Sequence, residues 1–104
     1  MHIVTLDIGH NHGTDGEAHS PEQVERVVSR LLTLAGFDGH TITHGTGYWR
    51  GEREAQTSAR VYLLGTGTNW REIDAIRKVA GEIRDGLGQE AVGFMVQEAR
   101  VEFV

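Results

Sequence analysis

The apolar positions of this 104-residue chain follow two periodicities, and their alternation lays out the fold. Between Asn69 and Leu87, Ile73, Ile76, Val79, Ala80, Ile83 and Leu87 recur at spacings of three and four, one stripe of a 3.6-residue helix. Arg71, Asp74, Arg77, Lys78, Glu82, Arg84 and Asp85 fill the opposite side. Asn69 with Glu72 three residues on predicts a capping box at its start, and Gly86 and Gly88 predict its end. The run Ala91, Val92, Phe94, Val96 then reads as a strand. A helix with one apolar stripe needs a sheet to cover it.

From the beginning of the chain, His2 to Ile8 alternates with apolar residues on both faces, which predicts a central strand. Gly9 to His19 is a polar loop. Ser20 caps a helix that starts at Pro21, with Gln23 completing a capping box; Val24, Val27, Val28, Leu31, Leu34 and Ala35 form the predicted buried stripe and Gly36 the stop. His40 to Arg50 alternates with threonines and ends in Tyr48 and Trp49, an edge strand. Gly51 to Thr57 is polar and reads as the loop of a hairpin that returns through a third strand, Ser58 to Leu64. In the last segment, Ala91 to Val104, the phase of Val92, Phe94 and Val96 slips at Ala99, Val101 and Phe103, so a break falls near Gln97 and Glu98.

The order β-α-β-β-α-β predicts an α+β ferredoxin-like sandwich: a four-stranded antiparallel sheet in the order 4-1-3-2 with two helices on one face, and residues 1-104 as a single domain. Two consequences follow. The face bearing Ile3, Tyr62 and Leu64 has no helix of its own and is expected to be covered by another copy of the chain. The loop Gly9 to His19, the hairpin Arg50 to Thr57 and the turn Gly86 to Glu90 meet at one end, where function is expected to collect.

Composition narrows the classes. Zero cysteines exclude disulfides, thiolate metal sites and a cysteine nucleophile. No apolar run is long enough for a bilayer and no basic-then-apolar signal follows Met1, so a cytoplasmic protein with no membrane partner is expected. Ten basic residues scattered among fifteen acidic ones, for a net charge of -5, give no basic stripe for a nucleic-acid partner.

Candidate chemistry gathers in three places. His10, His12 and His19, with Asp15 or Glu17 nearby, supply ligand types for zinc, copper or nickel, although the spacing H-x-H-x6-H fits no closed motif and a solvated loop explains the same residues. Edge-strand surface positions account for His40 and His44. Trp49, Arg50, Glu52 and Arg53 form a hairpin tip of the kind that anchors an interface, with Gln89 and Glu90 at the mouth of the last strand as further ligand or interface candidates. Trp70, at the first turn of the second helix, reads as a packing residue. The turn Gly65 to Asn69 lacks the lysine and spacing of a phosphate loop. Ser20, Ser29 and Ser58 sit in no nucleophile-elbow context, and Asp7 has no carboxylate or base beside it in sequence, so the chain is expected not to be an enzyme.

Tyr48-Trp49-Arg50-Gly51-Glu52 followed by Val61-Tyr62-Leu63-Leu64 resembles the hairpin of the PII-like superfamily, above all its CutA-type members. The Gly88-Gln89-Glu90-Ala91-Val92 segment before an apolar strand resembles small uncharacterised bacterial and actinobacteriophage proteins. The first resemblance implies a trimer that binds a small ligand or divalent metal at clefts between subunits; the hairpin here is shorter than the long loop of PII proteins, and their nucleotide-binding basic residues are missing. The second implies a phage-type accessory protein. The leading expectation is a non-enzymatic, cofactor-free, oligomeric interaction module, a dimer or trimer that engages a host protein through the hairpin and the open face. The alternative is a PII- or CutA-like ligand or metal binder.

Overall fold

A computed structural model describes residues 1–11 and 18–104 of the chain. In chain order it has β1 (His2–Gly9), α1 (Pro21–Leu34), β2 (Thr41–Trp49), β3 (Glu52–Leu63), α2 (Trp70–Gly86) and β4 (Gly93–Glu98). Every neighbouring pair is antiparallel and the sheet order is β2-β3-β1-β4, the predicted order read from the other edge. The fold is therefore the ferredoxin-like sandwich.

The core lies between one sheet face and the helices. Val4, Leu6 and Ile8 of β1 and Ala59, Val61 and Leu63 of β3 meet Val24, Val28 and Leu32 of α1 and Ile76, Val79, Ala80 and Ile83 of α2, all buried. Each Val, Leu or Ile buried this way contributes about 1.5–3 kcal/mol. The stripe of α2 is the predicted one, whereas α1 departs at its end: Leu32 is buried and Leu34 is 72% exposed. The two lie about 200° apart around the helix axis, on opposite flanks of the stripe, and the last turn turns the Leu32 flank to the core.

The capping box of α1 forms as read: Ser20 Oγ accepts from Gln23 N at 3.2 Å, and Gln23 Oε1 accepts from Ser20 N at 2.8 Å. The box predicted at α2 does not form. Asn69 is left-handed, with φ 55°, and its side chain makes no cap bond. A capping side chain reaches the free amides from the extended region, not from this one. Instead the Asn69 amide donates to Gly65 O at 3.2 Å and to His2 Nδ1 at 2.8 Å, fastening the turn to the start of β1. Trp70 beside it is 59% exposed under the Arg71 guanidinium, not packed inside.

The largest departure concerns the hairpin. β3 starts at Glu52, so the predicted loop Gly51 to Thr57 is mostly strand, and only Arg50 and Gly51 make the turn. Their φ values, 52° and 81°, are both positive, as a two-residue type I′ connection requires. β1 ends opposite Gln56, so the segment beyond it, Thr46–Trp49 paired with Glu52–Ala55, runs on as a two-stranded arm. Solvent reaches both faces of the arm, which is why its sequence shows polar residues without apolar alternation. β4 ends at Glu98, at the predicted phase slip, and residues 99–104 are not strand. The face opposite the helices bears Ile3, Tyr62 and Met95, with Phe103 of the C-terminal segment edge-on to Tyr62 at 6.1 Å. Among the described residues no helix is long and apolar enough to cross a membrane.

Candidate functional site

Alternation along the strands decides which side chains share the open face. Asp7 of β1, Ser58 and Gln56 of β3 and Gly93 of β4 are register partners or lie in phase with them, and Glu54, Glu52 and Trp49 continue that face onto the arm. Where the arm leaves the sheet, all of these residues but Ser58 line a cavity of about 570 Å³. Its other walls are Asn11, from the loop after β1, and Gln89, Glu90, Ala91 and Val92, which join α2 to β4. The predicted meeting of three loops at one end is thus observed, and the volume falls within the range of small-molecule sites.

The floor depends on a close approach. A Cβ on Gly9 would stand 2.6 Å from Glu54 Oε1, so glycine at this position is what lets the carboxylate fold over β1. From there Glu54 Oε2 accepts from Asn11 N at 3.4 Å, and Gln89 Nε2 donates to Asn11 O. Asn11 therefore ties the arm to the α2–β4 segment across the cavity. Asp7 accepts from Ser58 Oγ at 2.5 Å. At the rim, Trp49 is 55% exposed, with the Arg50 guanidinium 5.6 Å from its ring centroid.

Among the described residues the lining holds four carboxylates, Asp7, Glu52, Glu54 and Glu90, against one guanidinium, Arg50. That balance favours a cation, and Trp49 presents an aromatic face to which a cation or a flat heterocycle can be held. Of the sequence candidates, Trp49, Arg50, Glu52, Gln89 and Glu90 come together here. Arg53 does not: alternation turns it to the other face of the arm, where it lines a smaller recess with Thr46, Glu54 and Ala55. Glu54 and Gln56 escaped the sequence reading because they sat in the supposed loop. The signal that could have found them was Arg50-Gly51, a pair suited to a two-residue turn.

The histidines take a different place. His10 is 1% exposed beneath the helix layer, with Nε2 2.6 Å from Thr57 Oγ1; Thr57, 0% exposed, also lies 2.8 Å from His44 Nδ1. His44 Nε2 lies 2.9 Å from Glu25 Oε1 on α1. His44 is thus tied to the helix layer while its side chain stays 36% exposed on the edge strand β2, as its reading as a surface position of an edge strand expects. His40 lies just before β2, half-buried, with its Nε2 2.8 Å from Ser29 Oγ of α1. His19 donates from Nε2 to Leu87 O at 2.8 Å. His12, Asp15 and Glu17 fall outside the described residues. Among the described residues no three His, Cys, Asp or Glu gather where they could hold a metal ion. Burial pushes the His10 imidazolium below its ordinary 6.5, with His44 and His19 acting in the same direction and Glu54 against them.

A ferredoxin-like sheet with a carboxylate-rich cavity on its open face is the class of protein that fold and site define. No family model and no curated protein matches the sequence. Among solved structures, a phage SAM lyase in its apo state matches with a TM-score of 0.79 at 17% identity, over 92% of this chain and 78% of that one. A phage SAM lyase in complex with S-methyl-5′-thioadenosine matches with a TM-score of 0.69 at 17% identity, over 93% and 80%. The likeness is one of fold, and it corrects the expectation that this chain is not an enzyme. That expectation asked for a nucleophile elbow or a partner for Asp7, whereas this fold also carries a lyase.

Proposed function

We propose that the cavity binds a sulfonium nucleoside, S-adenosylmethionine, and that the chain splits it to S-methyl-5′-thioadenosine. The observation that carries this reading is the lining: four carboxylates, one guanidinium and one exposed indole around a single cavity. The substrate offers a sulfonium, an ammonium and a carboxylate beside a flat base. Trp49 suits the adenine or sulfonium, the acidic side chains suit the two cationic centres, and Arg50 suits the lone carboxylate in bidentate fashion. The shared fold with a phage SAM lyase supports the same choice.

The chemistry asks little of the protein. When the bond between sulfur and the γ-carbon of the amino-acid chain breaks, the electron pair goes to sulfur and a neutral thioether leaves. The γ-carbon is then satisfied either by the substrate's own carboxylate, closing a lactone with no net proton transfer, or by loss of a β-proton to a cavity carboxylate, leaving an alkene. Both balance without water or an outside reactant. Neither needs the nucleophile elbow that the sequence lacks.

The cavity lies on the same sheet face as Ile3, Tyr62 and Met95, at the other end of the strands from Ile3 and Tyr62. Self-association there, as the PII-like resemblance implies, would close its mouth, so a dimer or trimer belongs to this proposal; a host protein on the arm is the other partner it leaves room for. The test is incubation of the purified chain with S-adenosylmethionine, chromatography of the products and native mass spectrometry of the protein. Release of S-methyl-5′-thioadenosine, lost in Trp49→Ala and Arg50→Ala, is expected. Unchanged S-adenosylmethionine together with no retention of S-methyl-5′-thioadenosine refutes the reading.

A further inference from the structure

With every ring neutral, the histidine chain is compatible with one tautomer. Glu25 accepts only, so His44 Nε2 carries hydrogen toward it. With His44 neutral, its Nδ1 is a bare lone pair and takes the Thr57 hydroxyl proton. Thr57 Oγ1 must then accept from His10 Nε2–H, and the hydrogen count of the chain closes with His10 Nδ1 unprotonated. That nitrogen is buried and, among the described residues, has no hydrogen-bond partner. As a lone pair it costs little; as an N–H of a charged ring it would be an unpaired buried donor.

The same residue starts the corner that crosses the cavity. His10 N donates to Ala55 O at 3.1 Å on the arm, and His10 O accepts from His19 N at 2.7 Å across the neck of the loop. The next residue, Asn11, stands between Glu54 and Gln89 in the cavity wall.

We propose that His10 is a positioning residue for the cavity: held neutral with its proton on Nε2 by the chain Glu25–His44–Thr57, it sets the corner that places Asn11 between Glu54 and Gln89, and a second proton, on Nδ1, releases that corner and weakens ligand binding. This rests on the reading of the cavity as the ligand site. The groups facing His10 act in opposite directions. His44 from β2 and His19 from the segment before α1 repel a charged ring, while Glu54 from β3 attracts it; Glu25 from α1 sits beyond His44. The attraction matters because Glu54 is also a wall of the cavity. A charged His10 draws that carboxylate off Asn11 N, so the proton that leaves Nδ1 unsatisfied also loosens the wall. Burial disfavours the charged ring at neutral pH, which keeps the corner set there.

The experiment uses the intact ¹⁵N-labelled protein from about pH 8 down to about pH 5, a range in which ordinary carboxylates stay ionised. Long-range ¹H–¹⁵N spectra read the ring nitrogens of His10, and backbone amides read Asn11, Glu54 and Gln89. Binding of S-methyl-5′-thioadenosine, which carries no group titrating in this range, is followed in parallel, for the wild type and for His10→Gln. Glutamine keeps an N–H for Thr57 and takes up no proton.

The expected result is an unprotonated Nδ1 at the alkaline end and three amides that move with His10 as it titrates. Affinity should fall about tenfold per pH unit below that midpoint, the slope for one linked proton, and the variant should bind with a flat profile. A His10 protonated on Nδ1 at the alkaline end overturns the proposal. So do amides that stay still through its titration, a His10 that takes up no proton above about pH 5, or a variant with the wild-type profile. Amides that follow His10 while S-methyl-5′-thioadenosine fails to bind at any pH refute the ligand assignment and leave the positioning role standing.

Discussion

Thr57→Val removes one oxygen from the interior and keeps the shape, so its cost measures the histidine chain directly. Thr57 is 0% exposed and its hydroxyl lies 2.6 Å from His10 Nε2 and 2.8 Å from His44 Nδ1. In the variant His10 Nε2–H loses its acceptor in a residue 1% exposed, which costs about 1–3 kcal/mol for an unsatisfied buried donor. The His44 side chain is 36% exposed and recovers most of its loss from water. The new methyl returns under about 1 kcal/mol of apolar burial. The expected net loss is about 1 kcal/mol, read as a fall of about 0.5 M in the urea midpoint at a typical slope or of about 4–8 °C in Tm. Thr57→Ser keeps the hydroxyl and should lose only the buried methyl, about 1 kcal/mol. A Thr57→Val protein within about 0.5 kcal/mol of the wild type, the scatter of inconsequential surface changes, refutes the bridging role of Thr57.

Other perturbations test separate parts of the argument. Arg50→Asn puts a residue tolerant of positive φ at a position whose φ is 52°, and should raise stability by about 0.5–1 kcal/mol in urea melts while weakening binding of S-adenosylmethionine, whose carboxylate it no longer pairs; a loss of stability there contradicts the turn assignment. Ser20→Ala removes the cap of α1 and should cost about 1 kcal/mol, measured by the same melts. The pH dependence of stability follows from His10, whose folded value lies below 6.5: the unfolded chain takes the proton first, so its contribution is complete above 6.5 and drains as pH falls from 6.5 toward the lowered value. Urea midpoints should slope downward over that window, less steeply in His10→Gln, and equal slopes in the two proteins argue against burial as the cause.

The correction of the enzyme expectation has a chemical reason. Sequence reading searched for groups a protein needs in order to attack a substrate, such as an elbow serine or a paired acid and base. A substrate whose leaving group departs as a neutral thioether brings its own driving force, and a site for it needs shape and charge more than a reactive side chain. Such a site leaves no motif. The cavity proposed as such a site is built from an aspartate on β1, two glutamates on an arm, a glutamate before β4 and a tryptophan at a tip, and no spacing in sequence marks them as one set.

What the sequence determined by itself was whatever depends on neighbours within a few residues. The 3.6-residue stripe of α2, the Ser20 and Gln23 box of α1, the alternation of β1 and the phase slip at Glu98 are local, and the order of elements then leaves few sheet topologies that bury both stripes. Tertiary structure decided the rest. Thr57 reads as loop because it is polar, yet it is interior because two histidines distant in sequence meet its hydroxyl. Asn69 looks like a cap, yet it turns to His2, sixty-seven residues away. Glu54 looks like a solvated charge, yet a glycine on the neighbouring strand lets it fold into a cavity wall. Hydrophobic periodicity is a property of a segment and its surface, whereas a satisfied buried polar group or a carboxylate wall exists only where separate segments bring the partners together.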